Sequence, residues 1–551
     1  MFPARGVGWE PSGPYRRAAA ASVAVTLLLC LGLAAAELYV GGGSWGFPLD
    51  DSWIHLVFAR SLAAGEGLAF NSGELVSGST APLWTALLSL AFVAPGDPVL
   101  WTKLLGVLFH VVTVCGVARL AHRLGLASWS SLLAASLTAA SGWLVWSSLS
   151  GLEIPLFLAL ATWGMVLQVE ERRHPDALPR SLALFGAGAL ARPEGLLLLA
   201  LAVVDRSLVA RRGEDGRLIW GRGTARAPSN APMTALGLGA ALVLVAPVVL
   251  FNARVGGSLL PATYLAKASG AHSVIPEAAY LHAILGIFFQ AFPLLVLLAG
   301  TGTVELGGRL GTARDGGLLP ALWLFGLPIA YGALSPPDGP YLAGNFGRYL
   351  FPAFPPLLLL GALGLERLAG VFTSVGSAKP FGRWVGGGLL AALVLWPAGA
   401  GTARGAGRYL QSVGNVRDGD ERIAGWLAER LPVESVLAVN DIGAIKYRLP
   451  EHRIRDLAGI VDPEIVAYRK QAIAEGRSRG EGDRRFLSES RPDYLVIFPG
   501  WFPELAADGA SFPEVHRIVI PDNITMGDNY IVVLQTPWTR TFLDPSQGAV
   551  R

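Results

Sequence analysis

Apolar runs of membrane-spanning length recur along the chain, separated by short loops rich in Arg, Gly and Pro. They fall near 19–40, 99–119, 127–148, 154–170, 181–191, 195–209, 231–251, 281–303, 317–334, 349–368 and 385–401, eleven in all. One more apolar run, 82–94, is shorter; it opens at Pro82 and is closed by Pro95. We read it as interfacial or re-entrant. Beyond about residue 402 the pattern changes. Helix-like stretches such as "DERIAGWLAERL" alternate with short β-rich runs such as "SVLAVN", "DYLVIF" and "YIVVLQ". This predicts a small α/β domain over 402–551, after a membrane domain over 1–401 whose long polar loop covers 41–98.

The basic residues orient these spans. Arg5, Arg16 and Arg17 precede the first run and place the N-terminus inside. With 82–94 kept from crossing, loops assigned inside hold nineteen Lys and Arg residues against six outside before residue 402. The six are Arg60, Lys103, Arg192, Arg254, Lys267 and Arg348. Eleven crossings then leave the C-terminal domain outside. Had 82–94 crossed, every later basic loop would land on the wrong side.

Composition narrows the classes further. Of 551 residues 52% are hydrophobic and 15% charged, and the net charge is only +3. No basic stripe interleaves with aromatics, so nucleic acid is not an expected partner. Cys30 and Cys115 both lie within apolar runs, which suits packing rather than a disulfide, a metal site or a nucleophile. The first run resembles a signal peptide in length, but it leads into a polytopic chain and reads as an uncleaved span.

The polar residues on the outside face supply the candidate chemistry. "PLDDSWIH" sets Asp50 and Asp51 at the start of a helix, with His55 four residues from Asp51 and on its face. Carboxylates at a bilayer edge are costly without a task. The same outside face collects Glu153 in "SGLEIP", Arg192 and Glu194 in "ARPEG", Tyr264 and Lys267 in "GGSLLPATYLAK", and Arg348 and Tyr349 in "NFGRYLFP". Singly, each has a structural reading: a helix cap, an ion pair closing a hairpin, or an Arg anchoring a helix end. Together they suggest a pocket for a charged, amphiphilic molecule.

The run Asp50–Trp84, "DDSWIHLVFARSLAAGEGLAFNSGELVSGSTAPLW", resembles the GT-C superfamily of integral-membrane glycosyltransferases, above all the branch with the mycobacterial arabinofuranosyltransferases. "SGLEIPLF", "LARPEGLL", "GRYLFP", "NDIGAIKY" and "DLAGIVDPEI" are similar to further landmarks of such proteins. The resemblance implies a polytopic α-helical membrane protein with interfacial helices in the first external loop and a soluble α/β domain at the end. It also implies an inverting transfer of a sugar, arabinofuranose among the candidates, from a polyprenyl-phosphate donor. The acceptor would be a cell-envelope glycan, lipid or protein at the outer face of the bacterial cytoplasmic membrane, with membrane lipids around the site.

In such enzymes one acid of the pair activates the acceptor hydroxyl. Asp50 matches that place by position, and Asp51 by its spacing to His55; both stay candidates. Glu153 matches a second acidic position. Lipid A aminoarabinose transferases carry a phosphate-gripping lysine where this chain has Thr80. Arg348, Lys267 and Arg192 are therefore the candidates for the donor phosphate, with His55, Thr80, Glu153, Glu194, Tyr264 and Tyr349 lining the substrates. The chemistry calls for no cofactor, with a divalent metal left open. The rival class is a transporter or flippase of a lipid-linked sugar, which should show internal repeats or paired broken helices at mid-membrane depth; no repeat is visible.

Overall fold

A computed structural model describes residues 13–174, 177–208, 210–212, 218–220, 231–263, 278–312, 315–334, 344–374 and 380–540. Among these, five helical stretches are long and apolar enough to cross a membrane: Tyr15–Val40, Pro98–Arg123, Ile154–Arg173, Ala231–Gly256 and Gly347–Val371. Two bent helix pairs bring the number to as many as seven. Among the described residues, two of the remaining expected spans, 181–191 and 317–334, correspond to shorter apolar helices, Arg180–Ala191 and Leu319–Ala333.

In chain order the membrane part contains α1 (Gly13–Val40), α2 (Asp50–Ala63), α3 (Pro82–Ser89), α4 (Pro98–Arg123), α5 (Ser128–Ala140), α6 (Gly142–Leu149) and α7 (Ile154–Arg173). There follow α8 (Arg180–Ala191), α9 (Glu194–Ser207), α10 (Ala231–Gly256), α11 (Ala278–Ala291), α12 (Pro293–Gly308), α13 (Leu319–Leu334), α14 (Phe354–Ser374) and α15 (Pro380–Val416). Short hairpins β1 (Ala69–Asn71) with β2 (Glu74–Leu75), and β3 (Ala210–Arg212) with β4 (Leu218–Trp220), lie between them.

Prolines set several corners. The span expected at 281–303 is two helices, α11 and α12, meeting at 106°. Pro293 has no amide to continue α11 and forces Phe292 out of the helical region, to φ −146 and ψ 64. Pro193 acts likewise on Arg192, which is extended at φ −150 and ψ 138 and ends α8. The apolar run that opens at Pro82 forms α3 and a 3-10 turn over Leu90–Phe92. At 1.5 Å per residue it reaches roughly half the thickness of a hydrocarbon core.

Close packing and one buried ion pair tie the bundle together. A Cβ on Gly302 would lie 1.9 Å from the Leu360 carbonyl oxygen, and one on Gly364 2.1 Å from that of Leu298. Only small residues let α12 and α14 approach so far. Lys103, fully buried in α4, donates to Glu37 of α1 (3.1 Å), to Tyr409 of α15 (2.6 Å), and to the carbonyls of Gly46 (2.7 Å) and Leu149 (3.1 Å). Every ammonium proton has a partner, so Lys103 is a structural pin.

The tail begins without a break, since α15 runs unbroken across residue 402. A π-helical turn, Arg417–Glu421, leads into α16 (Arg422–Ala428). Next come β5 (Val436–Val439), α17 (Ile442–Arg448), β6 (Arg453–Asp456), α18 (Glu464–Ala474), α19 (Arg479–Ser490), β7 (Tyr494–Ile497), α20 (Pro503–Ala506), β8 (Glu514–Val519) and β9 (Tyr530–Gln535). The strands form one sheet in the order β6-β5-β7-β9-β8, parallel over the first three and antiparallel over the last two. β7, central and covered on both faces, is buried at all four residues, which explains the unbroken apolar run "YLVI".

Candidate active site

α2 starts directly after extended Leu49 (φ −146, ψ 146), with Asp50 and Asp51 in its first turn and Arg60 in its last. Acid at the N-terminus and base at the C-terminus both suit the helix dipole. Successive residues of a helix point about 100° apart, so the two acids face different surroundings. Asp50 turns to the tail. Its two carboxylate oxygens accept from the amides of Gly443 (2.8 Å) and Ala444 (2.7 Å). Burial pushes its pKa up to about 7, against the pull of those amides and with a push from Asp51 and Asp456.

Asp51 turns instead to the membrane bundle and accepts from Nη2 of Arg348, in the 3-10 turn before α14. Its side chain keeps 37% of its surface exposed, whereas that of Arg348 keeps 7%. Arg348 also lies over the Tyr349 ring, 5.2 Å from its centre, and its Nη1 is buried with no partner among the described residues. An aligned, desolvated guanidinium with spare donor capacity is suited to an anionic group.

One helical turn along α2, His55 places Nε2 3.1 Å from Glu153. Glu153 is held just ahead of α7 and also receives Arg192. Burial alone would raise the Glu153 pKa, but the Arg192 guanidinium and the His55 hydrogen bond hold it down at about 2. Arg192 then donates to Glu194 at 2.7 Å and 3.1 Å, and Glu194 accepts from Tyr331 of α13. Arg192 lies 5.7 Å from the centre of the Tyr349 ring, which packs against Tyr331 at 5.6 Å. Tyr349 therefore stands between the two guanidiniums.

The structure thus brings together seven residues singled out by sequence: Asp51, His55, Glu153, Arg192, Glu194, Arg348 and Tyr349. They come from separate segments of the chain. Asp50 stands beside them but faces the tail. Thr80 is half-buried just ahead of α3, where Ser79 and Thr85 join hydroxyls at 3.2 Å. Tyr264 and Lys267 lie outside the described residues. Tyr331 was missed: "PIAYGAL" is a uniformly apolar setting in which a lone Tyr carries no signal. Arg192 is already matched by two carboxylates, which suits a residue that holds the site's shape, while among the described residues Arg348 meets one carboxylate and its Nη1 has no partner. Among the described residues, no three His, Cys, Asp or Glu side chains are placed so that they could hold a metal ion.

Comparison with known proteins gives the fold a context. Residues 409–546 match a family described as a domain of unknown function, DUF8728. A terminal beta-(1->2)-arabinofuranosyltransferase of Mycobacterium tuberculosis is 31% identical over 205 residues. That match covers 34% of this chain, and this chain spans about a third (32%) of the length of that relative. Among solved structures, ArnT from Cupriavidus metallidurans in the apo state superposes with a TM-score of 0.53 at 16% identity, over 95% of this chain and 99% of ArnT. The same protein bound to undecaprenyl phosphate gives 0.50 at 15%, over 92% and 97%. The chain therefore shares the fold of ArnT over nearly the whole length of both proteins.

Proposed function

We propose that the protein transfers a sugar from a polyprenyl-phosphate donor to a cell-envelope acceptor, with inversion at the anomeric carbon. The observation that carries this reading is the Asp51–Arg348 pair: an accessible carboxylate beside a buried guanidinium, at the head of α2. Asp51 takes the proton of an acceptor hydroxyl as its oxygen attacks the anomeric carbon. The bond from that carbon to the phosphate oxygen breaks, and polyprenyl phosphate leaves with one further negative charge. Arg348 faces that charge. Arg192, Glu153 and His55 keep the floor of the site in register, and Lys267 is a further candidate for the phosphate.

A donor whose leaving group stays anchored in lipid requires a site at membrane level, and the places of Glu153 and Arg348 at the heads of the membrane-length helical stretches Ile154–Arg173 and Gly347–Val371 support one. ArnT, which shares the fold, has been solved bound to undecaprenyl phosphate, which supports a polyprenyl-linked donor; the partial relative is an arabinofuranosyltransferase, which supports a pentofuranosyl group. The basic asymmetry of the loops supports an inside N-terminus and a tail at the outer face of the cytoplasmic membrane.

The test is reconstitution in nanodiscs with polyprenyl-phosphoryl arabinofuranose labelled in the sugar. Transfer of label to an added arabinan oligosaccharide, with release of polyprenyl phosphate, is the expected result. Passage of intact donor across a vesicle membrane without phosphate release would instead indicate a transporter.

A further inference from the structure

The tail grips α2 at both ends. At the start of α2, Asp50 accepts from the Gly443 and Ala444 amides, in the first turn of α17. Near its end, Arg60 donates from Nη1 to the Tyr447 carbonyl (3.0 Å) and from Nη2 to the Lys446 carbonyl (3.4 Å), in the last turn of α17. The acid thus meets the amide end of α17 and the base its carbonyl end, satisfying groups that a helix leaves unpaired. The two helices run in the same direction.

Between these points the backbones nearly touch. A Cβ on Gly443 would stand 2.3 Å from the Asp50 carbonyl oxygen and 2.8 Å from the Ile54 nitrogen. Trp53 packs on Tyr447 with ring centres 4.9 Å apart, and the Arg60 guanidinium lies 5.4 Å from the centre of the Tyr447 ring. Asn71 adds a second anchor beyond α2. Its side-chain amide donates to the Ile454 carbonyl and accepts from the Ile454 amide, both at 3.0 Å. A carboxylate could only accept there, so the two-way bond needs the amide.

We infer that α17 is a positioning element for the reaction: through Asp50 and Arg60, the tail sets the height and rotation of α2 and so the aim of Asp51. This rests on the reading of Asp51 as the base. One peptide bond separates the residue held by the tail from the residue that faces the pocket. A displacement of about 1 Å at a reacting group can cost on the order of 10²-fold in rate, and α2 has no slack at Gly443 to absorb one. Asp50 is then a positioning residue, and the tail is a working part of the site.

Three variants of the full-length protein test this: Asp50→Asn, Arg60→Ala and Gly443→Ala. The last leaves every side-chain charge in place and only forces the two backbones apart. Two readouts are needed, hydrogen exchange over 442–448 by mass spectrometry and steady-state transfer in nanodiscs. Each variant should speed exchange over 442–448 and lower turnover about 10–100-fold, with donor affinity changed less than about twofold. Faster exchange with unchanged turnover would overturn the inference, as would unchanged exchange in all three. A loss beyond about 10³-fold in Asp50→Asn alone, with normal exchange and full turnover in the other two, would make Asp50 the base and overturn it as well. Exchange needs no substrate. If the wild type transfers no sugar while the variants still loosen 442–448, the functional reading has failed and the contact between α2 and α17 has not.

Discussion

Arg348 donates to Asp51, joining the turn before α14 to the first turn of α2. The contact places a buried cation beside an acid whose side chain stays partly exposed. On the proposed reading, a donor phosphate would draw the guanidinium toward itself and release Asp51 to accept a proton, so the pair would link donor binding to the readiness of the base.

Replacing Asp51 by Asn removes the proton acceptor while keeping its shape. Turnover should fall about 10²–10⁴-fold, with donor binding intact, because Arg348 stays in place. Transfer rates and donor affinity measured on the same nanodisc preparation check this. Normal turnover in Asp51→Asn would remove Asp51 from the role.

Arg348→Ala should act on the other half of the pair. Loss of a charge-assisted contact to phosphate costs about 1.5–3 kcal/mol, or roughly 10–150-fold in donor affinity. Arg192→Ala should differ in kind. It strands Glu153 and Glu194, both largely buried, so the variant should unfold at lower temperature as well as bind donor less well. Equal melting temperatures for wild type and Arg192→Ala would contradict the structural role given to Arg192.

Glu153 gives the site a pH dependence of stability. Its pKa is held at about 2, below the ordinary 4.5, by Arg192 and His55 acting against burial. A depressed carboxylate stabilises the fold above its unfolded pKa, and that contribution disappears as pH falls from about 4.5 toward 2. In thermal unfolding of purified protein between about pH 6 and about pH 3, this loss should appear as a fall in melting temperature against the opposite trend set by Asp50, whose pKa is raised. Glu153→Gln should flatten that fall, since the amide does not titrate. An identical slope in the variant would show that other carboxylates carry the acid sensitivity.

Much of the site was legible in the chain because its residues break local rules. Two adjacent acids after an apolar run, an Arg before a Pro, and an Arg heading a span each stand out against 52% hydrophobic residues. The spacing of Asp51 and His55 puts them one turn apart on α2, as a helix over that stretch requires. What spacing could not reveal is the partner across the fold. That Asp50 serves Gly443, or that Tyr331 closes on Glu194, depends on segments distant in sequence meeting in space. Lys103 shows the same limit: in the chain it is only one more basic residue, and its burial between Glu37 and Tyr409 appears only in the fold. The bend at Pro293 was visible as a proline, but hydropathy averaged over the run concealed it.

The placement of α3 decides the topology of everything after it. If the run from Pro82 to Phe92 lies in the interface, its two flanks share one side of the membrane; if it crosses, they do not. Its length, about half a hydrocarbon core, favours the interface. Gly78 is a poor site for a probe, since a Cβ there would stand 3.0 Å from the Ile460 carbonyl oxygen. Ser72 and Pro95 are exposed on either side of α3 and tolerate a cysteine better. In a background lacking Cys30 and Cys115, a membrane-impermeant maleimide applied to intact cells should label Ser72→Cys and Pro95→Cys alike. Labelling of one alone, with the other reached only after lysis, would mean that α3 crosses. Every later loop would then change sides, and the nineteen-to-six distribution of basic residues would no longer favour the inside.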